Sequence, residues 1–247
     1  MLTVLDEQFA PITSYAVFVN APLERIKTYE STRERLQPAI LTELTGGLRE
    51  LLPHLEPLSM PATVRKLWVQ TREPEWSVYF AGHVRGTESS AEGAVRGYCR
   101  HLGVPGLVMA TSPHTRRRDG TGRFGNMVFS MHGENGDGIR IVAAQVGDDE
   151  RWIFTNVGEL QSFEQPETYK ARRIRDRLTS QKIADYCAAL GLYPFEEDFY
   201  GPRGLLLDQS AAYLQGRQEV NPLVQKSLAQ VQAEAGIVPG EAAGLPG

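Results

Sequence analysis

Three apolar runs in close succession constrain this chain more than any other feature: Asn126–His132 (NMVFSMH), Ile139–Val146 (IRIVAAQV) and Arg151–Val157 (RWIFTNV). Turn clusters separate them, first Gly133-Glu134-Asn135-Gly136-Asp137-Gly138, then Gly147-Asp148-Asp149. Strand-length runs joined by short glycine- and acid-rich turns fold back on one another, so this pattern predicts an antiparallel meander.

More strands precede it. Ile12–Asn20 (ITSYAVFVN) alternates Tyr15, Val17 and Val19 with Ala16 and Phe18, and nearly every position is apolar. Lys66–Arg72 and Trp76–His83 read as a pair joined by Glu73-Pro74-Glu75, with Trp76, Val78 and Phe80 on one face of the second. Gly106–Ala110 (GLVMA) reads as a buried strand.

Helical spacing marks other regions. From Ser31 to Leu52, the residues Leu36, Ile40, Leu44, Leu48, Leu51 and Leu52 recur at three- and four-residue intervals, with Gly46-Gly47 as an interruption. Pro53, Pro57 and Pro61 then enforce a non-helical connection. Ser89-Ser90-Ala91-Glu92 fits a capping box that opens a helix packing Ala94, Val95, Tyr98, Cys99 and Leu102 and ending at Gly103. Two more helices are expected at Pro166–Arg177 and Ser180–Leu190, the second burying Ile183, Tyr186, Cys187 and Leu190 before Gly191. Helices grouped around consecutive strands predict an α+β fold, a mostly antiparallel sheet of about six to seven strands with helices packed on it. Residues 1–238 are expected to form a single domain and 239–247 (PGEAAGLPG) a flexible tail. The helix ends Tyr98–Gly103 and Tyr186–Gly191 echo each other, a coincidence of helix-ending chemistry rather than a duplication, since the flanking sequence does not match.

Composition limits the functional classes. The 247 residues carry 26 Lys plus Arg against 30 Asp plus Glu, a net charge of −4. A general nucleic-acid coat or an anionic-membrane binder would show a basic excess. Only two cysteines occur, Cys99 and Cys187, both on apolar faces of expected helices, where a thiol behaves as a small buried hydrophobe. They are too few and too far apart for a structural zinc site, and no two histidines stand as HxH or HxxxH, so no metal is assigned. No secretory leader and no membrane-length apolar run is visible, and the default compartment is the cytoplasm.

Against this acidic background one loop stands out: Pro113–Gly125, PHTRRRDGTGRFG. Arg116, Arg117, Arg118 and Arg123 surround Asp119 among Gly120, Gly122 and Gly125, with His114 at the start. Arginine forks and glycine-exposed amides suit phosphate or carboxylate. The spacing is not that of a P-loop. GTGRFG precedes a strand rather than a helix, so it lacks the context of a dinucleotide fingerprint and reads as hairpin chemistry; no cofactor is implied. A second basic run, Lys170–Arg177 (KARRIRDR), contributes Arg172 and Arg173, which join the loop in one positive face if the two lie side by side; the alternative is a solvated helix face paired with Glu164, Glu167 and Asp176.

Catalytic signatures are sparse. There is no GxSxG, and neither cysteine lies in an electropositive loop. Glu196-Glu197-Asp198, flanked by Phe195, Phe199 and Tyr200, offers clustered carboxylates, but a turn with its rings anchored in the core accounts for the same residues. Trp68, Trp152 and WSVYF could form a base-stacking surface, and core packing explains them more simply. Catalytic residues are therefore left unassigned. The expectation is a non-catalytic binding or regulatory protein, a class that includes toxin-neutralising immunity proteins. Its contact residues are Arg116, Arg117, Arg118, Arg123, Arg172, Arg173 and His114, and its partner is acidic or phosphate-bearing. An enzyme on an anionic small molecule, with arginine clamps and His114 or the 196–198 acids as acid and base, is the alternative. Nucleic-acid binding ranks third because of the net charge.

Overall fold

The computed structural model describes residues 1–32, 40–85, 88–216 and 222–241, with side chains undescribed at 88–90. Nine strands form one antiparallel sheet: β1 (Tyr15–Val19), β2 (Ile40–Thr45), β4 (Arg65–Thr71), β5 (Ser77–Ala81), β6 (Gly106–Ser112), β7 (Asn126–His132), β8 (Gly138–Val146), β9 (Trp152–Gly158) and β10 (Tyr200–Asp208). Their order is β2-β10-β4-β5-β1-β6-β7-β8-β9. A separate two-stranded ribbon pairs β3 (Leu58–Met60) with β11 (Val224–Lys226). The fold is α+β, as expected, and β6 through β9 form the meander.

Helices lie on both faces: α1 (Leu23–Thr32), α2 (Leu48–Leu51), α3 (Glu88–Leu102), α4 (Ser180–Ala189), α5 (Ser210–Gly216) and α6 (Leu228–Ala235). The first strand shows why the sheet must be covered twice. Ala16 and Phe18 point to one core, Val17 and Val19 to the other, and all four are buried. A strand apolar at every position belongs in the middle of a covered sheet, and β1 sits between β5 and β6. The larger core gathers Phe18, Leu67, Phe80, Met109, Phe129 and Val142 under α2, α4 and α6. On the opposite face α1 and α3 pack Ile26, Val95, Tyr98 and Cys99 over Val17, Trp68 and Val108. The two echoing helix ends therefore lie on opposite faces, Cys99 in one core and Cys187 in the other.

The sheet has two more strands than expected, β2 and β10. Within the expected helix 31–52, Ser31 and Thr32 end α1 and Leu48–Leu51 form the short helix α2, but Ile40–Thr45 between them is the edge strand β2, and Leu36 lies outside the described residues. Leucine spacing mimicked a helix there, but Ile40, Thr42 and Thr45 are β-branched, and pairing of the whole segment with β10 outweighs local preference. β10 was hidden by Gly201-Pro202-Gly204, residues that usually break strands. Pairing with β4 shifts register between Tyr200 and Gly204, so Pro202 sits in an irregularity where the missing N–H costs no regular ladder bond.

Two local expectations fail. α3 begins at Glu88, so Ser89 lies inside the helix rather than capping it, and Glu92 reaches His132 instead. The helix does end at Gly103, whose φ of +62° is left-handed. Pro166–Arg177 is not a helix. It contains two 3-10 turns, Pro166–Lys170 and Ile174–Asp176, with Arg172 and Arg173 between them in non-helical backbone. Of the expected tail, residues 242–247 lie outside the described ones, while the Gly240 N–H donates to the Asp6 carbonyl.

Candidate functional site

The basic loop connects β6 to β7 and folds as a hairpin. Thr115 N–H donates to the Arg123 carbonyl (3.0 Å) and Arg117 N–H to that of Thr121 (2.8 Å). A tight turn, Gly120 N–H to the Arg117 carbonyl at 3.1 Å, leaves Arg118 and Asp119 at the tip. Asp119 accepts from the Thr121 hydroxyl and N–H, which hold its carboxyl below the ordinary range. Gly122 has φ +86°, and a Cβ there would lie 2.2 Å from the Thr115 carbonyl oxygen. Gly125 lets the Trp152 ring approach to where its own side chain would start, 2.5 Å away. The glycine string thus closes and seats a hairpin, as its position before a strand implied.

The arginines divide into two groups. Arg116 lies over the Phe124 ring (5.1 Å), donates to the Gly120 carbonyl and approaches Glu150 at 3.8 Å. Arg123 turns inward and pairs with Glu7, whose side chain is 2% exposed. Arg117 and Arg118 project from the tip, Arg117 standing 3.9 Å from Glu241. His114 is exposed, stacked on Phe124 and edge-on to Trp152, and its Nδ1 accepts from Gly125 N–H (3.2 Å).

Between the loop and the rest of the molecule lies a groove of about 1020 Å³. Its walls are the 116–125 loop, the ends of β7 and β8, Arg85 and the C-terminal end of α6. Ser14, Tyr15, Ser112, Asn126 and Gln145 give it a polar lining, to which Arg116 and Arg123 add positive charge and Asp148 and Glu234 negative charge. Polar atoms in its wall lack partners. Nε and Nη1 of Arg123 are buried and have no acceptor among the described residues, and Asn126, bonded through one amide atom to Tyr15, leaves the other unpaired. Glu7, the one carboxylate on Arg123 among the described residues, is held by a strained turn: Leu5, Asp6 and Glu7 have φ of 52°, 49° and 63°. Left-handed backbone costs an ordinary residue roughly 1–2 kcal/mol, so three in succession mark a conformation that packing enforces. Burial raises the Glu7 pKa, and the attraction of Arg123 offsets this only in part.

The second basic run borders the first. Arg173 and Arg175 line a shallow depression of about 630 Å³ together with Glu150, Arg151 and Trp152. Glu150 also approaches Arg116, so one acid stands between the two runs. Arg172 is exposed. Of the acids expected to pair with this run, Glu167 meets Lys170 (3.0 Å) and Asp176 meets Arg175 (3.9 Å). Glu164 does neither and binds Arg140 inside the protein.

That buried pair had no signal in the sequence. Arg140 Nε donates to Glu164 Oε1 (2.7 Å) and Nη2 to Oε2 (2.6 Å), with both side chains fully buried. Tyr169 donates to Glu164 and meets the Tyr186 hydroxyl at 2.9 Å. Burial pushes Glu164 upward, but its hydrogen bonds from Arg140, Tyr169 and Gln161 N–H, with the Arg140 charge, leave it below the ordinary carboxylate range. Burial also pushes the Tyr169 hydroxyl far up. The network pins the segment after β9 onto the larger core.

The remaining candidates lie elsewhere. Glu197 pairs with Arg49 (2.8 Å), while Glu196 and Asp198 approach Arg72 at 3.2 and 3.6 Å. Phe199 and Tyr200 anchor this turn in the core. Trp68 is fully buried, whereas Trp152 is half-buried, packed against the larger core on one side and lining the depression beside Arg173 and Arg175 on the other. Among the described residues no three His, Cys, Asp or Glu side chains gather as metal ligands, and no helix is long and apolar enough to cross a membrane. No protein-family model, curated protein or solved structure matches the chain.

Proposed function

We propose that this is a binding protein that receives an acidic or phosphate-bearing group of its partner in the groove beside the Pro113–Gly125 loop. The observation that carries the reading is Arg123. Its guanidinium lines the groove, spends Nη2 on Glu7 and keeps Nε and Nη1 buried without acceptors among the described residues. Buried donors left unpaired are costly, and an oxyanion reaching them, with a small outward shift of the hairpin, supplies what they lack. Arg117 and Arg118 at the tip add a positive approach that steers an anion inward. A cytoplasmic setting goes with this reading, supported by two buried, unbridged cysteines.

The acid–base alternative has less support. Neither His114 nor the Glu196–Asp198 acids are among the groove-lining residues, and those acids are engaged by Arg49 and Arg72. Nucleic-acid binding stays third, since the net charge is −4.

The test is calorimetric titration at low salt with two probes, inorganic phosphate and a hexaglutamate peptide. Wild type is expected to bind one of them. The double variant Glu7→Gln/Arg123→Gln, with its fold verified by thermal melting, should weaken binding by about tenfold or more, the loss of a charge-assisted bond. Arg117→Glu/Arg118→Glu should slow association while leaving the melt unchanged. Absence of binding by both probes, or binding indifferent to both double variants, overturns the proposal.

A further inference from the structure

The strand β9 ends the sheet, and its outer edge has the features of a strand that pairs with another. Backbone directions follow from two bonds. The Val146 N–H goes to the Gly125 carbonyl on the β7 side, and the Gly147 N–H takes the Arg151 carbonyl on the β9 side. By the two-residue period, Ile153, Thr155 and Val157 point their backbone groups at β8, and Trp152, Phe154 and Asn156 point theirs outward. Two of the usual guards of an edge are missing from this strand. It has no proline and no lysine, and Asn156, Val157 and Gly158 are exposed. Its open face carries apolar side chains: Ile153 is 46% exposed and Val157 58%, beside Ile139 of β8 at 43%.

We propose that β9 pairs antiparallel with β9 of a second copy of this chain, about a two-fold axis at Thr155. The sequence of the edge selects this occupant because it is self-complementary in that register. Outward-facing Phe154 meets outward-facing Asn156 of the other copy, so the backbone groups match as a hydrogen-bonded pair. Ile153 falls opposite Val157, both on the open face, in the closer non-hydrogen-bonded position. Trp152, the bulkiest side chain of the strand, falls opposite Gly158, which has none to clash with it. Beyond the strand ends, Arg151, whose side chain is 85% exposed, falls opposite exposed Glu159. Arg173 and Arg175 stand on the same rim as Arg151, together with Glu150 and with Asp149, which lies 3.9 Å from the Arg151 guanidinium and is the intramolecular partner that Glu159 of the other copy replaces or shares. A two-fold axis forms each of these pairs twice, which is the condition for a closed dimer rather than a fibre. The pairing removes the free edge and joins two nine-stranded sheets into one.

Analytical ultracentrifugation of the full chain tests this. Wild type should sediment as a dimer at micromolar concentration. Arg151→Glu and Glu159→Arg should each weaken the dimer by about tenfold, and the combined reversal Arg151→Glu/Glu159→Arg should restore it, because the pair is regenerated with its signs exchanged. Asn156→Pro, which removes an outward N–H and no bond to β8, should give a monomer with an unchanged far-ultraviolet spectrum. A monomeric wild type overturns the proposal and leaves the edge to a strand of another protein. A dimer insensitive to both the charge reversals and Asn156→Pro overturns it as well, since the copies then meet elsewhere.

Discussion

At the scale of single residues, the sharpest consequences attach to Arg140 and Glu164. Both side chains are fully buried, and each is the other's counter-charge. Removing one partner strands a charge, so Arg140→Met should cost about 3–5 kcal/mol in a urea titration, whereas Arg140→Met/Glu164→Leu should recover much of the loss. The pH dependence has a definite sign. Glu164 is held below its ordinary value near 4.5, so its contribution is complete above that value and disappears as pH falls through the folded-state pKa. Glu164→Gln should flatten the acid limb of the stability profile. Glu7 acts in the opposite sense: its raised pKa means that stability declines as pH climbs from the ordinary value through the folded one. Arg116 and Arg118 make a second contrast. Arg118→Ala should leave the melting temperature within experimental error, because exposed substitutions typically stay within about 0.5 kcal/mol. Arg116→Ala removes the Phe124 and Gly120 contacts and should lower it measurably.

At the scale of elements, two turns carry backbone conformations that substitution can probe. Gly122→Ala should destabilise the basic hairpin by more than about 1 kcal/mol, since it combines a positive φ with a 2.2 Å approach to the Thr115 carbonyl. In the β8–β9 turn Glu150 has φ 61° without being glycine. Glu150→Gly should therefore be neutral or stabilising by up to about 1 kcal/mol, read from the thermal midpoint. These elements also show how far sequence reasoning reaches. The meander and the strands around Val17, Val69 and Val78 were legible because alternation and turn chemistry are local. β2 reads as a helix from sequence because its leucines fall at helical intervals, and only its partner β10 decides the matter. β10 itself was masked by Gly201 and Pro202, whose meaning depends on the register shift beside β4. The hairpin nature of the basic loop could be read from Gly120–Gly125 and the strand that follows. The inward turn of Arg123 could not, because Glu7 is remote in the chain and nothing near Arg123 announces it. Glu164 offered a misleading clue, as its nearest arginines in sequence are not the one it binds.

At the scale of the whole molecule, the two thiols report on the two faces of the sheet. Burial pushes the Cys99 thiol up to about 11 and the Cys187 thiol further, so neither is appreciably ionised at neutral pH. Both should resist a disulfide reagent in the native state. If the faces open together, Cys99→Ala and Cys187→Ala variants should show the same labelling rate at the remaining thiol; unequal rates would place the weaker layer on the faster side.

The position of β10 between β2 and β4 bears on how the chain leaves the ribosome. The edge of β4 is complete once β5 has been made, yet its other neighbour arrives only with residues 200–208. More than about 100 residues separate them, several seconds of synthesis at roughly 5–20 residues per second. During that interval the strand Arg65–Thr71 has one unpaired side, and any chain that stops short of β10 has a sheet that stays open in its interior. For this protein, the stretch of synthesis between β5 and β10 is when a holdase chaperone has most to protect.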